Sequence, residues 1–447
     1  MKKDYIFNLI QRIINAVTTL ILVIYLSSIL SQENYGMYVY LITIISLGTL
    51  VSSLGLNEYG SKMYLDNVSK DAYSSVLSMQ IINSILVTVI IFIVTIVGNF
   101  NTLLSTIVIL NILCLSIQPL WYNIAKEKIT LNSKVSILTA IINLILILLL
   151  VKDDENLINL LLIVTFINFI RCVLIIATVK KKYKFQKEYI TLSTYKEYLI
   201  IFFPYLCISM YTMIDKLMLA NISGLKEVAI YNNGIMILRT SLMIIHSVSP
   251  IIMVKNIKKI EDIENSIYRA LNIVVYISIC LMFIFIGIGK DIVEFIFNSQ
   301  YFIVSYILIY GSILIPIISG SIIIANGYFI PKGKSILFTK AVFVGASINI
   351  ILNLLLIPKY GAFGGVLATI IAEIIIFLIM LFNIKNILNK KNLIFNIIKA
   401  LVINIFAILI VHNLNISITL IAIIVKSSII ILINSIVVFN ILKGEFY

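Results

Sequence analysis

The chain has 447 residues, of which 61% are hydrophobic and only 12% are charged. Soluble domains carry about 25% charged residues, so this composition excludes an ordinary soluble protein. The formal net charge is +14, with 34 Lys and Arg residues against 20 Asp and Glu. Apolar runs longer than about 18 residues recur from end to end, and each can cross a bilayer as a helix. The sequence therefore predicts an all-α integral membrane protein.

We predict about fourteen transmembrane helices. The first apolar run is too long for a signal peptide and lacks a small-residue cleavage site, so it is interpreted as a spanning helix. The approximate limits of the spans are 9–30, 36–56, 76–97, 103–125, 135–151, 157–179, 197–221, 231–254, 268–288, 303–326, 335–357, 361–384, 396–412 and 417–440.

The loops between these spans differ in basic residues on the two sides of the membrane. With a cytoplasmic N-terminus, only Lys152, Lys226, Lys290 and Lys359 fall in external loops. Because Lys and Arg concentrate in cytoplasmic loops, we predict a multi-pass protein of the cell inner (cytoplasmic) membrane with both termini in the cytoplasm.

A basic run, Lys180-Lys181-Lys182 with Lys184 and Lys187, lies between the sixth and seventh spans. We interpret it as a linker at the inner surface that contacts anionic membrane lipids. No folded soluble domain accompanies the run, so nucleic-acid binding is not expected. The predicted domains are an N-terminal lobe at 1–180, the linker at 181–195, a C-terminal lobe at 196–385, and additional helices at 386–447.

An internal repeat supports the two lobes. NLILILLLV at 143–151 ends the fifth span, and the similar NIILNLLLI at 349–357 ends the eleventh. Each follows a basic cytoplasmic segment, at 126–128 and at 332–334. We therefore predict two parallel-repeat six-helix lobes around a central cavity, plus two C-terminal helices. In secondary transporters built this way, the substrate site lies where the halves meet.

Several classes of chemistry find no support in the sequence. The external loops are too short for a catalytic domain, and no GxxxxGK[ST] phosphate loop is present, so direct ATP use is not expected. The four cysteines are far apart in sequence and stand singly in predicted spans, which favours packing thiols over a disulfide or metal site. We predict a transporter without a cofactor or metal, not an enzyme.

Polar side chains inside the spans define the candidate site. Asp215 and Lys216 interrupt an apolar helix, and after a short Gly-containing turn a second helix is predicted to begin at Tyr231. A charge at the bilayer centre costs at least about 2.5–3.5 kcal/mol, so it normally faces a partner or water. We predict a substrate cavity lined by Arg12, Asn15, Asp215, Lys216, Arg239 and His246, with coupling or gating by Asp215, Glu373, Pro204 and Pro250.

The charges within the spans are more basic than acidic. Arginine suits phosphate because its planar fork can bond two oxygens, so the cavity is expected to attract an anion. Structural roles remain open for each residue. Arg12 can reach the inner surface by snorkelling, and Asp215 and Lys216, about 100° apart on a helix, can each form an interhelical salt bridge. His246 can be a packed side chain, Glu373 can pair with a neighbouring helix, and the prolines can be static kinks.

Three segments carry a resemblance to a known family: LSQENYGMYVY (30–40), IDKLMLANISGLKEVAIYNNG (214–234) and INIILNLLLIPKYGAFGGVLATIIAE (348–373). They are similar to the recurrent signatures of the polysaccharide transporter family. These proteins are the Wzx-like oligosaccharide-lipid flippases of the multidrug/oligosaccharidyl-lipid/polysaccharide exporter superfamily. The resemblance runs over spans one to twelve.

The resemblance implies alternating access and a substrate made of a sugar repeat on a polyprenyl diphosphate. It implies that Arg12, Lys216 and Arg239 contact the diphosphate or acidic sugars, with Asp215 balancing or gating them. A polysaccharide polymerase and glycosyltransferases are expected partners. Two alternatives remain: a multidrug or cation antiporter of the same superfamily, whose cavity should favour acidic and aromatic residues, and a membrane-embedded polysaccharide polymerase or ligase.

Overall fold

The computed structural model describes residues 2–53, 55–56, 60–61, 64–65, 72–97, 101–179, 183–185, 206, 209, 212–258, 263–297, 299–384, 390–412, 414 and 419–446. All regular structure in these residues is helical. The chain divides into two compact units, Met1–Leu217 and Met218–Tyr447.

The first unit is built from seven labelled helices and the first residues of a helix at 212–222. The labelled helices are α1 (Lys2–Ile29), α2 (Gln32–Ser53), α3 (Ala72–Val97), α4 (Thr102–Ser116), α5 (Leu120–Ala125), α6 (Ile129–Leu150) and α7 (Leu157–Ala177).

The second unit contains the rest of that helix and seven more labelled helices, with a π-helical turn at Ala325–Phe329. These are α8 (Leu225–Lys258), α9 (Ile263–Ile296), α10 (Ile303–Gly311), α11 (Leu314–Ile324), α12 (Ser335–Phe382), α13 (Lys390–His412) and α14 (Thr419–Phe446).

The predicted all-helical membrane architecture is confirmed. Within the described residues, nine helices are long and apolar enough to cross a membrane. A pair bent by 41°, Ile303–Gly311 with Leu314–Phe329, adds a tenth. Most described residues of every predicted span are helical, with the seventh described continuously from residue 212 onward. The details differ at four places: the fourth span is broken, the eighth begins early, the tenth is a bent pair of helices, and the eleventh and twelfth are joined by a reversal at Gly361 without a loop.

In the first unit, α1 and α6 lie side by side and run in the same direction. The Asn15 side-chain amide donates to Ser136 Oγ at 3.2 Å, and further along both helices the Tyr25 hydroxyl donates to the Val151 carbonyl at 2.7 Å. A short turn through Asp154–Asn156 then reverses the chain, so α7 packs antiparallel to α6. These three helices position the candidate site.

The fourth predicted span breaks at Pro119, between α4 and α5. Gln80 of α3 provides hydrogen bonds for the backbone carbonyls at the break. Its Nε2 donates to the carbonyls of Ser116 at 2.5 Å and Gln118 at 2.9 Å. Its Oε1 accepts from Trp121 Nε1 at 2.9 Å. Backbone groups inside a bilayer must find partners within the protein, so this one side chain makes an interrupted helix possible.

Three residues of the predicted basic linker fall in the described part of the chain. Residues 183–185 lie against α3, where the Lys184 backbone N–H donates to Ser74 Oγ at 3.2 Å. The hydroxyls of Tyr183 and Ser78 lie 3.1 Å apart. The division of the lobes at this linker stays a prediction.

The Gly-containing turn before α8 is confirmed, and the start predicted for the next helix at Tyr231 is wrong. Gly224 has φ +95°, which ends the preceding helix. Ser223 and Gly224 both donate their backbone N–H to the Leu219 carbonyl, at 2.9 and 3.0 Å. The turn is complete there, so α8 begins directly at Leu225 and continues for 34 residues.

Gly361 separates the eleventh and twelfth predicted spans inside α12. Its φ of 54° and ψ of −131° are non-helical and lie where residues with a side chain are strained. Beyond it, the Ala362 backbone N–H donates to Glu227 Oε2 at 2.6 Å. A carboxylate at the start of a helix also complements the positive end of the helix dipole. The chain therefore changes direction at a single residue, capped by a side chain from α8.

The two C-terminal helices pack on α9 through polar contacts. Asn396 of α13 donates to Asn272 Oδ1 of α9 at 3.3 Å. Lys426 of α14 forms a salt bridge with Asp291 of α9 at 2.8 Å. Polar contacts fix the rotation of a helix more narrowly than apolar contacts, because lipid offers no competing hydrogen bonds.

Candidate functional site

A polar cavity lies between α1, α6 and α7 in the first unit. It is open on one side and offers about 240 Å³ of water-accessible space. Each helix contributes residues at spacings of three, four and seven, which place them on one helical face. The lining consists of Asn15, Thr18, Thr19 and Leu22 from α1, Ser136, Thr139, Ala140 and Asn143 from α6, and Val164, Ile167, Asn168 and Arg171 from α7.

Most hydroxyls on the cavity wall already donate to their own helices. Thr18 and Thr19 donate to carbonyls one turn back on α1, and Thr139 does the same on α6. The side chain of Asn168 is held by a neighbouring helix, because its Nδ2 donates to Asn111 Oδ1 of α4 at 2.8 Å. These hydrogen bonds fix the orientation of the wall side chains and leave other polar atoms of the wall available to a ligand.

Three buried polar atoms of the wall have no hydrogen-bond partner among the described residues. They are Asn15 Oδ1, Asn143 Oδ1 and Arg171 Nε. A buried polar atom without a partner costs about 1–3 kcal/mol, and more when it is charged. Such atoms concentrate where a protein binds water or a ligand.

The charge of the cavity is positive. Arg171 is the one ionisable residue of the lining, which includes neither an acidic nor an aromatic side chain. The guanidinium projects from α7, and amide oxygens stand on the other two helices. The wall can thus bind a negative group and accept hydrogen bonds from hydroxyls.

Of the predicted cavity residues in the first unit, Asn15 lines this cavity and Arg12 does not. Arg12 is exposed on α1, and its Nε donates to Asn8 Oδ1 at 3.3 Å. Asp215 is buried, with 1% of its surface exposed, and Lys216 beside it is half-buried.

The other predicted site residues lie in the second unit or outside the described residues. Arg239 is exposed on α8, and Glu373 is buried on α12 with 3% of its surface exposed. His246 and Pro250 belong to the helical backbone of α8, but their side chains are not described. Pro204 lies outside the described residues. The roles predicted for these residues stay predictions.

The prediction of site residues missed most of the cavity wall. Arg171 is a basic residue of the sixth predicted span, and it was not assigned to the site. The signal was present, because Ser136, Thr139 and Asn143 repeat at spacings of three and four residues on α6. Asn168 and Arg171 do the same on α7. Polar residues at helical spacing inside an apolar span indicate one shared face.

Comparison with solved structures shows which known fold the chain has. A structure of the lipid II flippase MurJ in an inward closed conformation matches 99% of this chain and 100% of its own, with a TM-score of 0.78 and 17% identity. An inward-facing multidrug resistance MATE family transporter of the MOP superfamily matches 83% of this chain and 95% of its own. Its TM-score is 0.55 and its identity 13%. The chain has the multi-pass helical fold of these membrane transporters.

Sequence comparison then establishes the family. The polysaccharide biosynthesis protein family matches residues 1–254, and the chain belongs to that family. The capsular polysaccharide biosynthesis protein CapF of Staphylococcus aureus is 25% identical over 400 residues, 84% of this chain and 97% of CapF. An uncharacterized membrane protein of Methanocaldococcus jannaschii is 29% identical over 103 residues, 22% of this chain and 20% of that protein. The resemblance drawn from the three sequence segments is confirmed.

Proposed function

We propose that the protein is a flippase that translocates polyprenyl-diphosphate-linked oligosaccharide repeat units across the cytoplasmic membrane by alternating access. The exported product would be a surface polysaccharide such as O-antigen, capsule or a teichoic-type polymer. One observation carries the proposal: a chain of the polysaccharide biosynthesis family has the fold of a lipid II flippase over nearly its whole length. The family name refers to polysaccharide and the structural neighbour is a flippase of a lipid-linked precursor, and together they support a glycan carried on a lipid.

The chemistry of the first unit supports this proposal. A hydrated glycan head needs amides, hydroxyls and positive charge inside an otherwise apolar bundle, and the cavity between α1, α6 and α7 provides them. Arg12, Lys216 and Arg239 would contact the diphosphate or acidic sugars. Asp215 and Glu373 would serve in coupling or gating, with Pro204 and Pro250 as bending points. The apolar face of α13 and α14 would hold the polyprenyl tail.

The two alternatives are less well supported. A cavity for organic cations should present acidic side chains or aromatic cages, whereas the described cavity has one arginine and neither of those. A polysaccharide polymerase or ligase would need a substantial external loop for its acid and base groups. The sequence predicts only short external loops.

The function is tested with purified protein in liposomes that contain a fluorescent lipid-linked oligosaccharide. A flippase should move the head group to the opposite leaflet, which exposes the fluorophore to a membrane-impermeant quencher, without lengthening the glycan. Polymer formation in the same vesicles would favour the enzyme. Transport of a cationic dye with a stationary lipid-linked oligosaccharide would favour the antiporter.

The predicted cavity residues are tested by complementation of polysaccharide export. Arg239→Ala and Asp215→Ala should abolish export while the protein inserts normally into the membrane. Arg269→Ala is the matched control, because Arg269 is an exposed arginine of α9 that has no proposed role. Full export by both cavity variants would contradict their assignment.

Localisation is also part of the proposal. We place the protein in the inner membrane with both termini in the cytoplasm, beside a polymerase and glycosyltransferases that handle the same lipid-linked sugars. A green fluorescent protein fused to the C-terminus should fluoresce, and alkaline phosphatase at the same position should be inactive. The reverse result would overturn the orientation.

A further inference from the structure

We propose that the cavity between α1, α6 and α7 binds one acidic sugar residue. Its carboxylate would pair with Arg171, and its ring hydroxyls would donate to the side-chain oxygens of Asn15 and Asn143. This inference deepens the proposed function and rests on it, since the sugar would belong to the carried oligosaccharide.

The guanidinium of Arg171 requires an anionic partner. Its Nε is buried and has no hydrogen-bond partner among the described residues. The other lining residues are uncharged, so the wall supplies no counter-ion. Arg171 is half-buried beside a wall without a counter-ion, which favours an anionic ligand, and the planar fork of arginine matches the two oxygens of a carboxylate.

The two asparagine oxygens require something more than an anion. Asn15 Oδ1 and Asn143 Oδ1 are buried acceptors without a donor in the described structure. Asn15 uses its Nδ2 to donate to Ser136, which leaves its oxygen directed elsewhere. A simple anion such as acetate only accepts hydrogen bonds and would leave both oxygens unsatisfied, and the hydroxyls of phosphate sit on the same small group as its charge. A hydroxylated acid offers a negative group and donors together, and an acidic sugar has both on one ring.

The dimensions fit a single ring. The cavity offers about 240 Å³ of water-accessible space, which is room for one sugar ring, and it is open on one side, so the rest of the glycan can extend out of it. Leu22, Ala140, Val164 and Ile167 add aliphatic surface to the wall. This surface can pack against the C–H face of a sugar ring, while the polar atoms select its substituents.

Saturation-transfer NMR on the detergent-solubilised full-length protein tests the inference without any variant. The probes are methyl glucuronide, methyl glucoside, sodium acetate and inorganic phosphate. We expect methyl glucuronide to bind at least about tenfold more tightly than any of the other three, a difference of about 1.4 kcal/mol. Equal binding of phosphate or acetate would reduce the cavity to a general anion site and overturn the inference. Equal binding of the neutral glucoside, or no binding of the glucuronide, would also overturn it.

Variants then assign the binding to these residues. Arg171→Gln should remove the preference for glucuronide over glucoside, and Asn143→Ala should weaken the binding of both sugars. Arg171→Lys keeps the positive charge, so it should retain part of the preference for glucuronide. This result would show that the effect of Arg171→Gln is not caused by misfolding. Arg269→Gln is the control arginine and should behave like the wild type. Unchanged selectivity in Arg171→Gln would place the bound sugar elsewhere.

The liposome assay separates this inference from the proposed function. If lipid-linked oligosaccharides are translocated but the glucuronide does not bind, the acidic-sugar site is wrong and the flippase stands. If the glucuronide binds through Arg171 and no lipid-linked substrate moves, the site stands and the flippase is wrong.

Discussion

The side-chain amides of Asn404 on α13 and Asn434 on α14 bond each other in both directions, at 3.0 and 2.9 Å. The hydroxyl of Tyr276 on α9 donates to the Asn434 oxygen at 2.9 Å. Both asparagines are buried. Three helices are thus joined at one buried point, which fixes how the last two helices sit on α9.

We predict that Asn404→Leu and Asn434→Leu each destabilise the protein by about 1–2 kcal/mol. Hydrogen bonds between membrane helices contribute about 0.6 kcal/mol on average, and a single substitution also leaves its partner unsatisfied. The double variant should cost clearly less than the sum of the two. Unfolding in mixed detergent micelles measures the free energies of this double-mutant cycle. Ser435→Ala is the control, because Ser435 is an exposed residue of α14. Additive effects would mean that the amides are not coupled.

The salt bridge between Lys426 and Asp291 leads to a second prediction. The two side chains are 15% and 21% exposed, between a surface pair and a buried one. Lys426→Met should therefore destabilise the protein by about 1–2 kcal/mol. Exchanging the charges, with Lys426→Asp and Asp291→Lys together, should recover part of that loss.

The same unfolding assay tests the exchange. Lys290→Met is the matched control, because Lys290 is an exposed neighbour of Asp291 and should tolerate the change. A charge-exchanged protein less stable than either single variant would show that the geometry, and not the attraction, holds α14 in place.

The positions of the spans could be predicted because run length and hydropathy are properties of the sequence itself. The breaks within and between the spans could not be predicted in this way. Pro119 marks a possible break in the fourth span, but the contact that makes it tolerable comes from Gln80 on another helix. Likewise Gly361 suggests a turn, while the carboxylate of Glu227 that caps the next helix lies far away in sequence. Contacts between distant segments decide whether the chain reverses at such a residue through a loop or, as at Gly361, within a single residue.

The cavity was predictable only in part, for a similar reason. A stripe of polar residues recurs at spacings of three and four along one face of α1, at Asn8, Gln11, Arg12, Asn15 and Thr19. Asn15 was predicted to line a cavity, and it does line one. Arg12 belongs to the same stripe but is exposed. Which end of a stripe is enclosed depends on how α6 and α7 are placed around it. Placing Arg171 needed the same information, because two of the three cavity walls come from α1 and α6.

Gly361→Ala should be strongly destabilising. The glycine has φ 54°, and a Cβ there would lie 2.4 Å from Glu227 Oε2. Backbone strain of this kind costs about 1–3 kcal/mol, and the new methyl would also displace the carboxylate that caps the helix. Gly333→Ala is the control: its φ is 68°, but nothing lies within 4 Å of its Cβ position.

Thermal unfolding of the detergent-solubilised protein measures the difference between the two glycine variants. Both should lose stability from backbone strain, and Gly361→Ala should lose distinctly more. Equal losses of stability would show that the contact with Glu227 has no role in the change of chain direction at Gly361.

Gln80→Leu should disrupt the break between α4 and α5. The substitution removes the partner of the Ser116 and Gln118 carbonyls and of the Trp121 indole N–H. Each buried group left unsatisfied costs about 1–3 kcal/mol, so we expect a total loss above about 3 kcal/mol. Trp121 is the single tryptophan of the chain and is fully buried, so its fluorescence reports on this site alone.

The emission of Trp121 should change in Gln80→Leu at a temperature where the protein is still folded, because its hydrogen bond is lost. Ser84→Ala is the control, since the Ser84 hydroxyl donates only to the Gln80 carbonyl one turn back on α3. It should leave both stability and emission close to wild type. An unchanged spectrum in Gln80→Leu, together with wild-type stability, would show that the helix break is satisfied by other groups, and Gln80 would then have no special role in it.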